Sequence, residues 1–195
     1  MRYAPDHKDK TKTKILHAIG RGFRRQGFAG IGVDGLAKEA GVTSGAFYGH
    51  FPSKAEAFQA AAVAGLVELR EAIEMLRAKE GDRWLTKFAD FYMSTKRTCD
   101  LRDSCALQSL TPEVARADQA TRVAYEAETL RIIEAIAEGL PKGSLTVRRK
   151  TAWAILSLLI GGVTLARAIN DPKVGAQIAT SVEIAVAHAA VTSGE

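Results

Sequence analysis

Residues 41–58 read GVTSGAFYGHFPSKAEAF. Phe47, Tyr48, Phe51, Phe58 and His50 share this short stretch with Gly41, Gly45, Gly49 and Pro52. A residue before proline avoids the helical region, so a helix opening at Thr43 or Ser44 must end before Pro52. Upstream, Val33–Ala40 reads as a short helix that Gly41 breaks. Downstream, Ser53–Glu56 (SKAE) has the form of a capping box and opens a long helix to about Lys79. Helix, glycine turn, helix is the spacing of a helix-turn-helix. Leu36, Ala37, Val42, Phe47 and Phe51 can pack inward together. That leaves Thr43, Ser44, Gly45 and Ala46 at the exposed start of the second helix, where this architecture meets base edges in the major groove. Their small size permits close approach of the backbone. Thr43 can offer its hydroxyl and nearby amides to a phosphate. Tyr48 and His50 can donate to phosphate oxygens from the flank, and Lys54 adds a cation at the start of the next helix.

The charge agrees with that placement. Of the 195 residues, the first 54 hold ten Lys/Arg and four Asp/Glu, a net of +6. The other 141 hold 17 and 18, a net of −1, so the positive field belongs to the N-terminal quarter and suits a polyanionic partner. Alanine, leucine and charged residues recur, proline is scarce, and no alternating β-branched run argues for a sheet. The expectation is an all-α fold of about nine helices: a three-helix head, residues 1–52 with a basic tail, and a larger helical domain, 53–195.

The first helix is expected near Lys10–Gln26, with Gly27 as its stop. Beyond Lys79 come helices near Arg83–Lys96, Cys105–Leu110 and Pro112–Glu138. Gly139–Ser144 is a loop, and two apolar helices, near Thr146–Ile169 and Pro172–Val191, close the chain. Trp84, Phe88, Phe91, Tyr92, Tyr125 and Trp153 read mostly as core. The uncharged stretch Thr151–Ala166, 16 residues long, falls short of a membrane span, and the polar N-terminus has no signal-peptide core. Two cysteines without a CxxC spacing fit a reducing cytoplasm. The four histidines are scattered, and nothing sets a nucleophile beside a base, so neither a metal, a cofactor nor catalysis is indicated. GIGVDG (Gly30–Gly35) spells GxGxxG, but a helix rather than a strand precedes it, which excludes the dinucleotide reading.

The segment Ile15–Phe58 resembles the N-terminal DNA-binding domain of the TetR family of transcriptional regulators. The matching residues are ILHA (15–18), Phe23, QGF (26–28), LAKEAGV (36–42), AFYGHFPSK (46–54) and Phe58. Gly32 stands where the family often has a capping threonine, and Gly35 where it has an acid. The resemblance implies a non-enzymatic repressor that binds a palindromic double-stranded DNA operator as a homodimer and is released by a small-molecule effector. It implies an effector pocket between central helices, with Phe88, Tyr92 and Tyr125 on its wall. It also implies a four-helix dimer bundle made by the last two helices, through Leu158, Gly161, Gly162, Leu165, Ile184 and His188.

Cys99–Leu107 (CDLRDSCAL) resembles a branch of the family in which a cysteine opening a C-x-L segment senses electrophiles. Cys105 would then be the trigger, favoured by a helix N-terminus and Arg102 and opposed by Asp100 and Asp103. Cys99 would serve as its resolving partner. Two alternatives remain open at this level: a cysteine-based sensor of oxidants or electrophiles within the same family, or a small helical binding protein or enzyme without DNA binding.

Overall fold

The computed structural model describes residues 5–192, with side chains over 12–191. The first residues of the basic tail lie outside the described ones. The described residues form α1 (Pro5–Gly30), α2 (Val33–Glu39), α3 (Ser44–Tyr48), α4 (Lys54–Glu80), α5 (Trp84–Phe91), α6 (Ala106–Val114), α7 (Gln119–Gly139), α8 (Leu145–Ala168) and α9 (Pro172–Thr192), and no strand. The all-α expectation holds. The chain divides into two compact units: Met1–Gly65 with Asp100–Tyr125, and Leu66–Cys99 with Glu126–Glu195.

The first unit is built around α1. Ile15, Ile19 and Phe23 lie on one face of that helix and are buried, with Leu36, Ala37, Phe47, Phe51 and Phe58. Phe58 meets Phe23 edge-on at 5.3 Å. α1 starts earlier than its apolar spacing suggests, at Pro5, because proline suits a first helical position. Gly27 does interrupt the helix, at φ 75° and ψ 170°. The next amide, Phe28 N–H, donates to both carboxylate oxygens of Glu113 at 2.7 Å. A side chain at position 27 would meet that carboxylate, its Cβ lying 2.6 Å from Oε1.

Ser53 caps α4 by accepting the Glu56 amide at 3.1 Å, and the Glu56 carboxylate turns back to the Ser53 hydroxyl at 3.4 Å rather than to the Ser53 amide that a full capping box would use. Gly65 allows α4 to approach α6, since a Cβ there would collide with that of Ala106. Pro112 does not open the long helix, as its sequence position suggested. It lies inside α6, which runs on to Val114, and α7 begins only at Gln119. The carboxylate of Asp118 takes the N-cap role there by accepting the Thr121 amide at 2.7 Å, which holds Asp118 below the usual carboxylate range.

The second unit holds Trp84, Phe88, Tyr92, Ile132, Ile136, Leu156 and Leu159 in its core. Past α5 the helix widens into a π segment, Tyr92–Lys96. Two of the aromatics read as core emerge instead: Phe91 and Trp153 are 43% and 44% exposed. Glu128 is buried, and Arg70 and Arg131 reach it at 2.7 and 2.6 Å. Burial alone would push this carboxyl up, but the two guanidinium hydrogen bonds outweigh burial and hold it below its ordinary range.

α8 and α9 pack on each other at Gly162, whose Cβ would meet the Val182 side chain at 2.6 Å. The helix around the uncharged stretch spans 24 residues, Leu145–Ala168, within one residue of the expected bounds at each end. By length and composition alone, α8 and α9 could each cross a membrane. The buried face of α8, from Ala152 to Ala166, accounts for part of that apolarity as packing.

Gly41 sets the angle between α2 and α3. At φ 67° it lies in the left-handed region, and the Gly41 and Val42 amides return to Lys38 and Ala37 carbonyls at 3.1 and 2.9 Å. Gly41→Ala should therefore destabilise the first unit by about 1–2 kcal/mol, read as a shift in urea midpoint at constant slope.

Candidate nucleic-acid interface

α3 has only five residues, and its two ends are fixed differently. Thr43 is its N-cap, with Oγ1 accepting the Ala46 amide at 3.1 Å. Gly49 follows its last residue, and the Phe51 amide still reaches the Phe47 carbonyl at 2.9 Å. Phe47, fully buried, turns the helix so that the opposite side faces solvent. Thr43, Gly45 and Ala46 are accordingly exposed and Ser44 half-buried. The structure thus brings together, on one exposed helix start, the four first-turn residues that the sequence singled out.

Tyr48 is 52% exposed, its ring set edge-on to Phe47 at 5.7 Å. His50 is half-buried in the α3–α4 connection beside Phe51. Lys54 is half-buried, with Nζ 4.5 Å from the centre of the Phe28 ring. That contact steadies the ammonium without neutralising it. Lys12, Lys14, Arg21, Arg25 and Lys38 add exposed cations in the same unit.

Sequence reasoning missed one member of this surface. Asp34, in the first turn of α2, accepts a hydrogen bond from the Ser44 hydroxyl at 2.5 Å. The two residues lie ten positions apart across the glycine turn, so no helical period links them. Gly32 caps α2 without any side-chain hydrogen bond, as expected where the threonine is absent.

The other expected sites are placed separately. Phe88 and Tyr92 are buried in the second unit, with ring centres 5.0 Å apart. A cavity of about 400 Å³ in that unit is lined by Trp84, Leu85, Leu140, Lys142, Glu183 and Val186 among others, and not by Phe88 or Tyr92. Tyr125 and Cys105 belong to the first unit. The Tyr125 hydroxyl lies 2.6 Å from that of Thr111, and burial pushes the phenol up. Cys105 occupies the N-cap position of α6 but is only 6% exposed. Arg102, expected beside it, instead bonds Asp100 at 3.2 Å. The Cys99 Sγ receives a hydrogen bond from Arg167 at 3.1 Å. Arg167 also donates to the Lys96 and Cys99 carbonyls, so it closes the end of that helix. Among the described residues, no group of three or more His, Cys, Asp or Glu could hold a metal ion.

On the last two helices, Leu165 and Ile184 are 55% and 64% exposed, and Gly161 and His188 are exposed as well. Leu158 is half-buried. Gly162 faces inward on Val182, an intrachain contact.

Comparison with known proteins agrees with this geometry. Residues 15–61 match the family described as bacterial regulatory proteins, tetR family. No curated protein matches the chain. Solved structures do match in fold. The reduced form of NemR from E. coli superposes with a TM-score of 0.77 at 16% identity, covering 92% of this chain and 97% of its own. A TetR-family transcriptional regulator from Cytophaga hutchinsonii gives 0.75 at 19%, covering 96% and 98%. Another from Streptomyces coelicolor gives 0.75 at 18%, covering 96% and 97%.

Thr43→Ala should remove the cap of α3 and destabilise the first unit by about 1 kcal/mol. Thr43→Ser should restore most of that loss. Thermal unfolding followed by circular dichroism distinguishes the two.

Proposed function

We propose that this chain, whose head is that of the tetR family, is a cytoplasmic transcriptional repressor. It binds a palindromic operator as a homodimer and is released by a small-molecule effector. The observation that carries the DNA-binding part is the exposed start of α3, held by the Thr43 cap and buried Phe47 and flanked by Tyr48 and Lys54. Thr43, Ser44, Gly45 and Ala46 meet base edges, while Tyr48, His50 and Lys54 meet phosphates.

Dimerisation is supported by the exposed apolar and small side chains along α8 and α9. Trp153, Ser157, Gly161 and Leu165 recur one turn apart on α8, and Ile184, His188 and Val191 on α9. Such stripes on paired helices match a partner's equivalent stripes across a two-fold axis. Effector binding is supported by the cavity in the second unit, whose volume falls in the range of small-molecule sites. With α8 and α9 occupied in this way, no membrane is required.

Gel shifts on DNA selected from a random pool test the reading. Affinity should fall steeply with salt, and Lys54→Ala should weaken binding to all sequences alike while lowering the salt slope by about 1. Equal affinity for selected and random DNA would defeat the proposal.

Leu165→Arg with Ile184→Arg should convert the dimer to a monomer in analytical ultracentrifugation while leaving the head folded. The same protein should footprint its operator at least tenfold more weakly, because two linked half-site contacts become one.

A further inference from the structure

The first turn of α3 carries two hydroxyls. Thr43 Oγ1 accepts the Ala46 amide and keeps its own proton, while Gly45 and Ala46 have no polar side-chain atom. Ser44 carries the other. Its hydroxyl donates to Asp34 Oδ1 at 2.5 Å, the length of a charge-assisted O–H···O⁻ bond.

A serine hydroxyl has one proton and two lone pairs, and a carboxylate has no proton to return. With its proton committed to Asp34, Ser44 Oγ presents only lone pairs to the groove. In the major groove, adenine N6 and cytosine N4 are amino donors, whereas guanine O6 and N7 and thymine O4 accept. We propose that Asp34 is a specificity-determining residue: it fixes Ser44 as an acceptor, so that each half-site carries, at one position, a base presenting an amino group. This rests on the DNA-binding reading above.

The arrangement that enforces it is local. Asp34 stands in the first turn of α2, where the helix N-terminus favours a carboxylate. The Gly41 turn fixes α3 against α2 through the Val42 amide and the Ala37 carbonyl. Ser44 Oγ would repel a guanine O6 and welcome an exocyclic amine.

The test is selection from random duplex DNA with wild type, Asp34→Ala and Ser44→Ala, followed by affinities on the selected half-site. Wild type should enrich adenine or cytosine at one position that depends on Ser44. Guanine or thymine there should lower affinity about tenfold, and so should removal of the amino group alone, by replacing adenine with purine or cytosine with 2-pyrimidinone. In Asp34→Ala the hydroxyl is free to donate as well as accept. The preference at that position should then shrink to within about threefold, with the other positions unchanged. Ser44→Ala should lose the same preference, and it keeps the fold because alanine is a better helix former. Enrichment of guanine or thymine at the Ser44-dependent position would overturn the proposal. So would an unaltered preference in Asp34→Ala or in Ser44→Ala. If wild type enriches no sequence, the DNA-binding reading itself falls, and this proposal with it.

Discussion

A helix of five residues has no stability of its own in water, because nucleation costs more than its one or two hydrogen bonds return. α3 is such a helix, and α2 at seven residues is barely better. Both exist because the fold buries one side of them. Phe47 and Leu36 are fully buried, and Phe51 is nearly so. The rest of the head follows from this constraint. The aromatic group must be large enough to hold two short helices, and so Phe23, Phe58 and Phe28 gather with ring centres 5.2 to 6.2 Å apart. The turn must be tight, and so Gly41 is left-handed. The outer side is then free of any packing duty and can carry small residues that touch a partner.

Local chemistry explains what could be read in advance. Gly41, Pro52 and the Ser53–Glu56 box each act within a few residues, so α2, α3 and the start of α4 are legible from the chain alone. Gly27 is legible as a stop for the same reason. The unread features depend on residues far apart. Nothing near Pro112 announces that α6 continues through it, and nothing near Phe28 announces that Glu113 will receive its amide. Ser44 could be named as a reader, but the direction of its proton depends on Asp34 across a turn. Trp153 reads as core by type, and only the packing of α8 shows it half out of the protein. Gly162 reads as a subunit contact by resemblance, while Val182 shows it turned inward.

The second unit poses a different physical problem, since it buries a charge. Glu128 accepts from Arg70 on α4 and Arg131 on α7, and Arg70 also reaches Glu74 at 2.9 Å. Charged groups withdrawn from water gain little net stability even when well paired, yet removing one partner is expensive. The arrangement therefore acts through register: one alignment of α4 on α7 brings Arg70 to Glu128, and any slip would leave the carboxylate with Arg131 of its own helix alone. The π segment Tyr92–Lys96 is also tied by arginines, with Arg97 and Arg167 donating to the Met93 and Lys96 carbonyls.

The first compact unit draws residues 100–125 back to residues 1–65. Glu113 closes the break in α1 from 85 positions away, and Arg24 donates to the Arg102 carbonyl across 78. Synthesis runs from the N-terminus, so the head cannot be completed when its own helices leave the ribosome. For the time needed to make roughly sixty further residues, at about 5–20 per second, it lacks the segment that finishes it. Through that interval of several seconds, the basic N-terminal stretch is exposed to the polyanionic ribosomal surface, while its aromatic residues have yet to gain their full cover.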